Sequence, residues 1–431
     1  MTCEKNTIRP RTGSVLLLMI ALFLSAPVLL GQKLLVYMDL RQTDHLKAYG
    51  IAYWTLERGV PVEWLLNYRG GSFLIDSYPE IERELRVRGV AYAPVTPAEV
   101  AQIQAEIEAN NMDRIMLETP PKIAVYTPRN KQVWDDAVTL ALTYAEVPYE
   151  TVWDEEVVGG ELENYDWLHL HHEDFTGQYG KFYATYHNAP WYKEQVAINE
   201  NLARKLGFRK VSELKKAVAR AIKKFAVSGG FVFAMCSATD SFDIALAAEN
   251  TDIVAAVYDG DAADPDAQKK LDFSKTVMFE NFRLISNPMV YEYSDIDIPS
   301  TMNPRVRNAL ADYFNLFEFS AKYDPVPTML TQNHVSVVKG FMGQTTAFKK
   351  SLIKKSVTIL AEAEGTEEVK YIHANVGRGT FTFYGGHDPE DYQHLVHDPP
   401  TQLSLHKNSP GYRLILNNIL FPAAKKKKRK T

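Results

Sequence analysis

Cysteine is nearly absent from this sequence. Among 431 residues there are two cysteines, Cys3 close to the N-terminus and Cys236 in the middle of the chain. A disulfide-stapled scaffold is excluded, because a chain that loses its N-terminal segment keeps Cys236 alone and forms no internal disulfide. A single thiol in such a protein is either buried and inert or placed where it reacts.

Long apolar runs are also lacking. The run VLLLMIALFL at residues 15–24 is shorter than the roughly 20 residues of a membrane span. Basic residues precede it and small residues lead to Gly31, which is the pattern of a secretory signal. The sequence predicts a signal peptide at residues 1–31 and export to the periplasm or cell envelope. The alternative is an uncleaved anchor lengthened by residues 27–30.

An excess of positive charge is missing from the body of the chain. Lys and Arg number 48 against 53 Asp and Glu, and six of the basic residues form the tail KKKKRK at 425–430. The body therefore has 42 basic against 53 acidic residues, which excludes the basic face of a nucleic-acid-binding protein. The tail, residues 425–431, predicts contact with an anionic envelope surface.

The hydrophobic content of 46% with 23% charged residues is typical of a folded protein. Residues 32–121 alternate strand-like and helix-like patterns, which predicts a small N-terminal α/β domain ending at the stiff segment ETPP. The strand patterns lie at 34–38, 62–66 and 72–75, and the helical patterns at 45–58, 78–88 and 97–109.

A second α/β series occupies residues 122–424. It predicts a doubly wound sheet, in which ligands bind beyond the carboxyl ends of the strands. Helical patterns lie at 133–145 and around 214–225, and strand patterns lie at 123–127, 149–153, 167–172, 231–235, 357–363, 371–374 and 380–384.

Cys236 follows a buried-type strand, 231–235, and precedes a helix-like run. A strand, a sharp turn with a nucleophile and a helix form a nucleophile elbow, where small residues such as Ala234 and Ala238 relieve crowding. A helix start lowers a thiol pKa, and the Ser237 N–H is then placed to receive an oxyanion. The alternative is a small core residue at a strand end.

His387 lies just past the strand at 380–384, in the segment GGHDPE. This position suits a base for Cys236, with Asp388 or Glu390 orienting the imidazole. The alternative is a glycine-rich loop whose histidine caps backbone groups.

A histidine cluster lies along and just beyond the strand that begins at Trp167. His169, His171, His172 and Glu173 are candidate ligands for a transition metal, and later histidines (His387, His394 and His397) could complete a site. The alternative is a set of polar side chains that line a cleft. No other cofactor is expected. The aromatic stretch at 175–192 suggests a small polar or sugar-like ligand, although such loops more often pack over a sheet.

The segments GGFVFAMCSA and GRGTFTFYGGHDPEDY resemble the class I glutamine amidotransferase-like superfamily, especially its trehalose-utilisation-protein-like branch. The resemblance implies a flavodoxin-like doubly wound sheet, with Cys236 as nucleophile and His387 as base. This chain departs from the family pattern in three places: alanines replace the glycines that flank the cysteine, His-x-Glu becomes HDPE, and a glycine-rich oxyanion loop is replaced by HLHHED.

The whole chain is also similar to exported Bacteroidetes-type proteins that are commonly labelled asparagine synthetase B, on segments such as HLKAYGIAYW and WLHLHHEDF. Synthetase chemistry needs an N-terminal cysteine after Met1 and an SGGxDS loop for ATP. Thr2 and the segment SGGFVF stand at those places, so the motifs do not support ATP-dependent synthesis.

Two classes of function follow from these observations. The first is a Cys-His-dependent amide hydrolase with the glutamine amidotransferase-like fold. The second is a non-catalytic envelope protein of the same fold that binds a ligand or acts as a scaffold.

Overall fold

The computed structural model describes residue 1 and residues 32–298, 308–393 and 395–424. The predicted signal peptide, apart from Met1, the basic tail and His394 lie outside the described residues. Within those described ranges, no helix is long and apolar enough to cross a membrane.

The N-terminal part forms a five-stranded antiparallel sheet in the order β4-β1-β3-β2-β5. The strands that the sequence predicts are present, and β4 and β5 add to them. The strands are β1 Lys33–Val36, β2 Val62–Leu66, β3 Phe73–Asp76, β4 Tyr92–Val95 and β5 Asp113–Leu117, and the helices are α1 His45–Glu57, α2 Pro79–Val87 and α3 Pro97–Ala109.

The larger sheet has ten strands, ordered β11-β10-β13-β14-β15-β9-β8-β6-β7 with β12 paired to β14. In one half of this sheet the neighbouring strands are parallel, in the order β7-β6-β8-β9-β15. The remaining strand pairs are antiparallel. The strands are β6 Ile123–Tyr126, β7 Glu150–Val152, β8 Trp167–Leu170, β9 Phe231–Met235, β10 Tyr313–Leu316, β11 Val337–Lys339, β12 Phe348–Lys349, β13 Thr358–Glu362, β14 Glu368–Val376 and β15 Gly379–Tyr384.

Helices lie between strands of this sheet, and a last helix follows the sheet. They are α4 Ala137–Ala145, α5 Asp154–Gly159, α6 Tyr183–Tyr186, α7 Pro190–Lys205, α8 Val211–Val227, α9 Ser237–Ala247, α10 Ala256–Asp259, α11 Pro325–Leu330 and α12 Pro410–Leu420. The prediction of a mixed α/β chain is confirmed by these elements.

Hydrophobic side chains cover both faces of the larger sheet. Along β9, Phe233 and Met235 join a core that includes α1, α4 and α12, while Val232 and Ala234 join a second core that includes α8 and α9. Alternate residues of a strand point to opposite faces, so a strand buried on both sides reads as a continuous apolar run. This explains the sequence FVFAM in β9.

The parallel strands bring the predicted site residues to one edge. In the sheet register Leu170 of β8 is paired with Ala234 of β9, and Tyr384 of β15 with Met235. Because all three strands run in the same direction, the residues that follow them emerge side by side. Cys236 therefore lies between the histidines that follow β8 and His387, which follows β15.

Candidate functional site

Cys236 sits in a strained turn between β9 and α9. Its backbone angles are φ 49° and ψ −140°, a region that non-glycine residues rarely occupy and that costs about 1–3 kcal/mol. The turn is held by hydrogen bonds: the Cys236 N–H donates to the Gly386 carbonyl at 3.1 Å, and the Cys236 carbonyl accepts from the Thr239 N–H at 3.2 Å. This is the strand, turn and helix geometry of a nucleophile elbow.

The thiol of Cys236 is buried and protonated. Only 4% of the residue is exposed, and the sulfur accepts a hydrogen bond from the Gln344 N–H at 3.4 Å. Burial raises the pKa of Cys236 to about 12, although the backbone N–H groups of Gln344, Ser237 and Thr345 act in the opposite direction. The expectation of a thiol pKa lowered by the helix start is therefore wrong, because desolvation outweighs these dipoles.

A cavity of about 330 Å³ opens beside the thiol. Its walls come from the strand-end residues, from the loop before α4 and from the loop around Gly343. The residues that line it are Trp134, His172, Phe182, Cys236, Tyr291, Met342, Gly343, Gln344, His387, Gln393, Leu395 and Val396. The cavity thus joins the predicted nucleophile and the predicted base at one surface.

The other residues predicted to act with Cys236 make different contacts in the structure. His387 is 7% exposed, and its backbone N–H donates to the Met342 carbonyl at 2.8 Å. The Asp388 carboxylate accepts from the Glu390 N–H at 2.8 Å, and the Glu390 carboxylate lies 3.0 Å from His406 Nδ1. Asp388 therefore stabilises the turn after β15, while Glu390 pairs with a different histidine. Ser237 is fully buried.

Three imidazoles converge beside Cys236. His171, His172 and His387 each offer a ring nitrogen, and these atoms all lie within 4.8 Å of one another. The ring centroids of His171 and His387 are 4.5 Å apart, and those of His171 and His172 are 5.2 Å apart. All three are candidate ligands from the sequence, and the structure brings them together.

The Asp136 carboxylate contacts two histidines, His169 and His171. No sequence pattern predicted Asp136 as a site residue. It is the N-cap of α4, where its Oδ1 accepts from the N–H groups of Val138 and Thr139. The same carboxylate lies 3.1 Å from His169 Nε2 and 3.3 Å from His171 Nδ1. Burial raises its pKa, but the neighbouring His169 and His171 outweigh that effect and hold the pKa of Asp136 well below its usual range. An Asp before an apolar helix was the available signal.

His169 belongs to a second group of possible ligands, with Asp136 and His171, whose ligand atoms also lie within 4.8 Å of one another, while Glu173 is in neither group. His169 Nε2 faces Asp136, and its Nδ1 lies 3.3 Å from the Phe233 carbonyl, so both ring nitrogens are occupied. Glu173 accepts the His171 N–H at 2.9 Å through Oε2, and its Oε1 lies 3.8 Å from His172 Nε2. Burial raises the pKa of Glu173 to about 7.

The aromatic stretch at 175–192 mostly packs over the sheet. Phe175 is fully buried and stacks on Tyr126, with ring centroids 5.5 Å apart. Phe182 alone from this stretch lines the cavity, where it contacts Trp134 at 5.0 Å between ring centroids. Trp134 in turn meets the His172 ring edge-on at 5.1 Å. Aromatic side chains therefore form part of the cavity wall beside His172.

Comparisons with known proteins found no matching family model and no matching curated protein. Among solved structures, cytoplasmic protein STM3548 from Salmonella typhimurium is 10% identical with a TM-score of 0.34, over 71% of this chain and all of that one. Cytoplasmic protein STM1381 from Salmonella typhimurium LT2 is 9% identical with a TM-score of 0.32, over 70% of this chain and all of that one. Gan42B, a GH42 β-galactosidase, is 11% identical with a TM-score of 0.25, over 62% of this chain and 28% of that one. Likenesses this weak carry no argument about function.

Proposed function

We propose that this chain is an exported hydrolase of the class I glutamine amidotransferase-like superfamily, acting on an amide or a related acyl group. The observation that carries the proposal is the backbone of Cys236, which holds a nucleophilic side chain in a strained turn at the mouth of a cavity. The parallel strand order β7-β6-β8-β9-β15 also supports it, because this is the 2-1-3-4-5 order of flavodoxin-like sheets.

A buried, neutral thiol needs a base at the moment of attack. In the proposed reaction Cys236 Sγ forms a bond to the carbonyl carbon while its proton passes to the His387 imidazole, and the Ser237 N–H faces the developing oxyanion. The carbon–nitrogen bond then breaks, and the leaving amine takes the proton. Water cleaves the resulting thioester, which releases the acid and restores the thiol. Strain at Cys236 keeps the sulfur at the cavity instead of in the core.

The cavity suits a small ligand. A volume of about 330 Å³ is at the lower end for small-molecule sites, and Trp134, Phe182 and Tyr291 offer flat apolar surfaces beside the polar strand ends. This combination fits a small polar or sugar-like compound that carries an amide. The basic tail would hold the exported protein near anionic envelope surfaces.

The second candidate is a non-catalytic ligand-binding or scaffolding protein of the same fold. One observation favours it: burial raises the pKa of the Cys236 thiol to about 12, as expected for an inert core cysteine. In this case the cavity binds a ligand and the elbow is only a structural turn.

Native alkylation separates the two candidates. The full chain, kept with a chelator at pH 7, is treated with iodoacetamide, and peptide mass spectrometry measures labelling of Cys236 separately from Cys3. For a hydrolase we expect labelling of Cys236 in the folded protein and a rate at least about 10-fold lower in His387→Ala, since general-base assistance is worth 10²–10⁴-fold.

The matched control is His406→Ala, which removes a partly exposed histidine that pairs with Glu390. It should label like the wild type. Circular dichroism checks that each variant is folded. If Cys236 reacts only after denaturation, at the same rate in all three proteins, the hydrolase proposal fails and the binding protein remains.

A further inference from the structure

Three imidazoles lie close together in a largely buried position, and this arrangement requires a physical explanation. His171 and His387 are fully buried or nearly so, and His172 is partly buried. Mutually close imidazoles repel one another when protonated, whereas neutral imidazoles can each direct a lone pair at one shared cation. A tetrahedral zinc site has nitrogen atoms about 3.3 Å apart, given Zn–N bonds of about 2.0–2.1 Å. Nitrogens within 4.8 Å therefore need only modest ring movement to share an ion.

His171 provides the second observation. It is 0% exposed, and its Nδ1 faces the Asp136 carboxylate at 3.3 Å. Its other nitrogen, Nε2, makes no hydrogen bond within the part of the chain that the structure describes. A buried nitrogen without a partner is costly to folding. The Asp136 carboxylate thus lies beside one nitrogen of a ring that also contributes a ligand atom to the three-histidine cluster.

The arrangement around Asp136 matches the way proteins support metal-binding histidines. Such a histidine usually donates its second ring N–H to a carboxylate, which fixes the tautomer and makes the ring a better ligand. Asp136 is itself fixed as the N-cap of α4 and also faces His169. Its negative charge would offset part of the charge of a divalent ion, and the Glu173 carboxylate lies 3.8 Å from His172 Nε2.

We propose that His171, His172 and His387 bind one divalent transition-metal ion, with zinc as the best match to three neutral imidazoles. Three protein ligands leave a fourth position for water or a ligand, as in catalytic zinc sites. His172 and His387 line the cavity, so this position faces it. Magnesium and calcium are poor matches because they prefer oxygen ligands.

The inference goes beyond the proposed function and does not depend on it. In the metal-loaded protein the nitrogen of His387 that binds the ion no longer accepts a proton, so attack by Cys236 would need another acceptor. Metal binding is measured without using Cys236 reactivity, which keeps the two proposals separate.

A second cluster of possible metal ligands consists of aspartates that already surround a lysine. Asp252, Asp259 and Asp261 also lie within ligand distance of one another. The Lys210 ammonium group sits among them, 2.6 Å from Asp252 and 3.1 Å from Asp259. That cluster has its cation already, whereas the carboxylates that face His171 and His172 are those of Asp136 and Glu173.

The test is metal stoichiometry of the full chain. The protein is stripped with a chelator, incubated with Zn²⁺, desalted and analysed by elemental mass spectrometry, and the same is done with Co²⁺ while visible absorption is recorded. We expect about one equivalent of zinc per chain and the intense visible bands of a four-coordinate cobalt site. His172→Ala and His387→Ala should retain less than about 0.1 equivalent.

Two further variants examine the support and the control. Asp136→Asn keeps a good N-cap residue but loses the carboxylate, so zinc affinity should fall about 10–100-fold. His406→Ala should bind like the wild type. Cys236→Ser should also retain the ion, because the thiol is not among the three ligands.

The inference is overturned if folded wild-type protein retains less than about 0.1 equivalent of either metal after reconstitution. It is also overturned if His406→Ala loses as much metal as His172→Ala, or if Cys236→Ser loses the ion. Metal binding without native labelling of Cys236 would support this inference and contradict the hydrolase proposal. Labelling without metal binding would do the reverse.

Discussion

Cys236 shows how one residue can have a reactive geometry and an unreactive protonation state. The elbow presents the sulfur at the cavity, yet the surrounding side chains exclude water and keep the thiol neutral. Three backbone N–H groups around the sulfur, from Ser237, Gln344 and Thr345, reduce this effect without reversing it. A buried thiol with such donors is poised to carry negative charge only when a base removes its proton.

The pKa of Cys236 predicts a pH-dependent stability. The folded pKa of about 12 lies above the free-thiol value of about 8.5, so between these values the unfolded chain loses a proton that the folded chain keeps. Stability from this group is therefore complete below pH 8.5 and falls as pH rises. Relative to Cys236→Ser, the wild type should lose about 2 kcal/mol by pH 10. Urea unfolding of both chelator-treated proteins from pH 7 to 10 measures the difference, and parallel curves would contradict the prediction.

A buried ion pair between α5 and α8 predicts a large mutational effect. Lys215 Nζ lies 2.8 Å from Asp154 and donates to the Tyr126 hydroxyl at 2.9 Å, and both charged side chains are nearly or fully buried. Lys215→Met should lower the free energy of unfolding by about 3–5 kcal/mol, because Asp154 keeps an uncompensated charge. Asp154→Asn in the same protein should recover part of the loss.

The control is an exposed pair. Arg209→Met removes an ion pair with Glu213 at 3.3 Å, where the Arg209 side chain is 85% exposed. The loss should stay below about 1 kcal/mol. Equal effects of Arg209→Met and Lys215→Met in urea unfolding would contradict the buried-charge explanation.

At this scale the sequence predicts which residues meet but not their electrostatics. Cys236, His171, His172 and His387 were found because each follows a recognisable strand. Asp136 was not predicted because it lies at the start of α4, in the segment after β6, far in sequence from His169 and His171. No local sequence pattern shows that these residues are close in space. The predicted direction of the thiol pKa shift was wrong for a related reason. The burial that raises the pKa depends on distant segments of the chain, including the loop at Gln344.

Among the elements, buried central strands are predicted best. The pattern at 231–235 coincides with β9, since burial on both faces requires an uninterrupted apolar run. Edge strands lack that signal: β4, YAPV, contains a proline and is mostly not buried. The predicted helix at 133–145 begins only at Ala137, because Asp136 accepts the Val138 and Thr139 N–H groups and starts the helix there.

The contact between α1 and α4 predicts a requirement for glycine. A Cβ added to Gly50 would lie 1.8 Å from the Ala145 carbonyl oxygen, which is a backbone atom and cannot move aside alone. Gly50→Ala should therefore destabilise the protein by about 1–3 kcal/mol, although alanine is the better helix former. Gly159→Ala is the control, because a Cβ there meets nothing within 4 Å. Chemical denaturation should show a lower midpoint for Gly50→Ala alone.

Across the whole molecule, the two sheets share one core. A single hydrophobic cluster contains Leu34 and Trp64 of the small sheet together with Phe233 of the large sheet and Leu416 of α12. The predicted boundary between residues 121 and 122 falls between β5 and β6, so it marks a change of sheet. Sequence patterns locate such a change from the ETPP segment, but they do not reveal that α12, near the end of the chain, packs back onto α1.

Arg413 of α12 is the polar counterpart of this shared core. Its side chain is fully buried and donates to the carbonyls of Met38 at 3.0 Å and Gly70 at 2.7 Å, both in loops of the N-terminal part. A buried guanidinium group that satisfies carbonyls from a distant segment joins that segment to α12 by hydrogen bonds as well as by packing. The small sheet should therefore have little stability of its own.

From this arrangement we expect the two sheets to unfold as one cooperative unit. Far-UV circular dichroism and tryptophan fluorescence should report the same urea midpoint, and native-state hydrogen exchange should give β2 and β9 similar opening free energies. Arg413→Met removes the guanidinium donor from the Gly70 and Met38 carbonyls, of which the Met38 carbonyl still lies 3.0 Å from His45 Nε2, so the midpoint should fall by an amount equivalent to about 1–3 kcal/mol. Arg378→Met is the matched control, since Arg378 is exposed and donates to the Ser228 carbonyl at 2.7 Å. Two separate transitions in the wild type, or exchange of β2 at a much lower free energy than β9, would show that the small sheet opens independently and that the shared core does not couple the two.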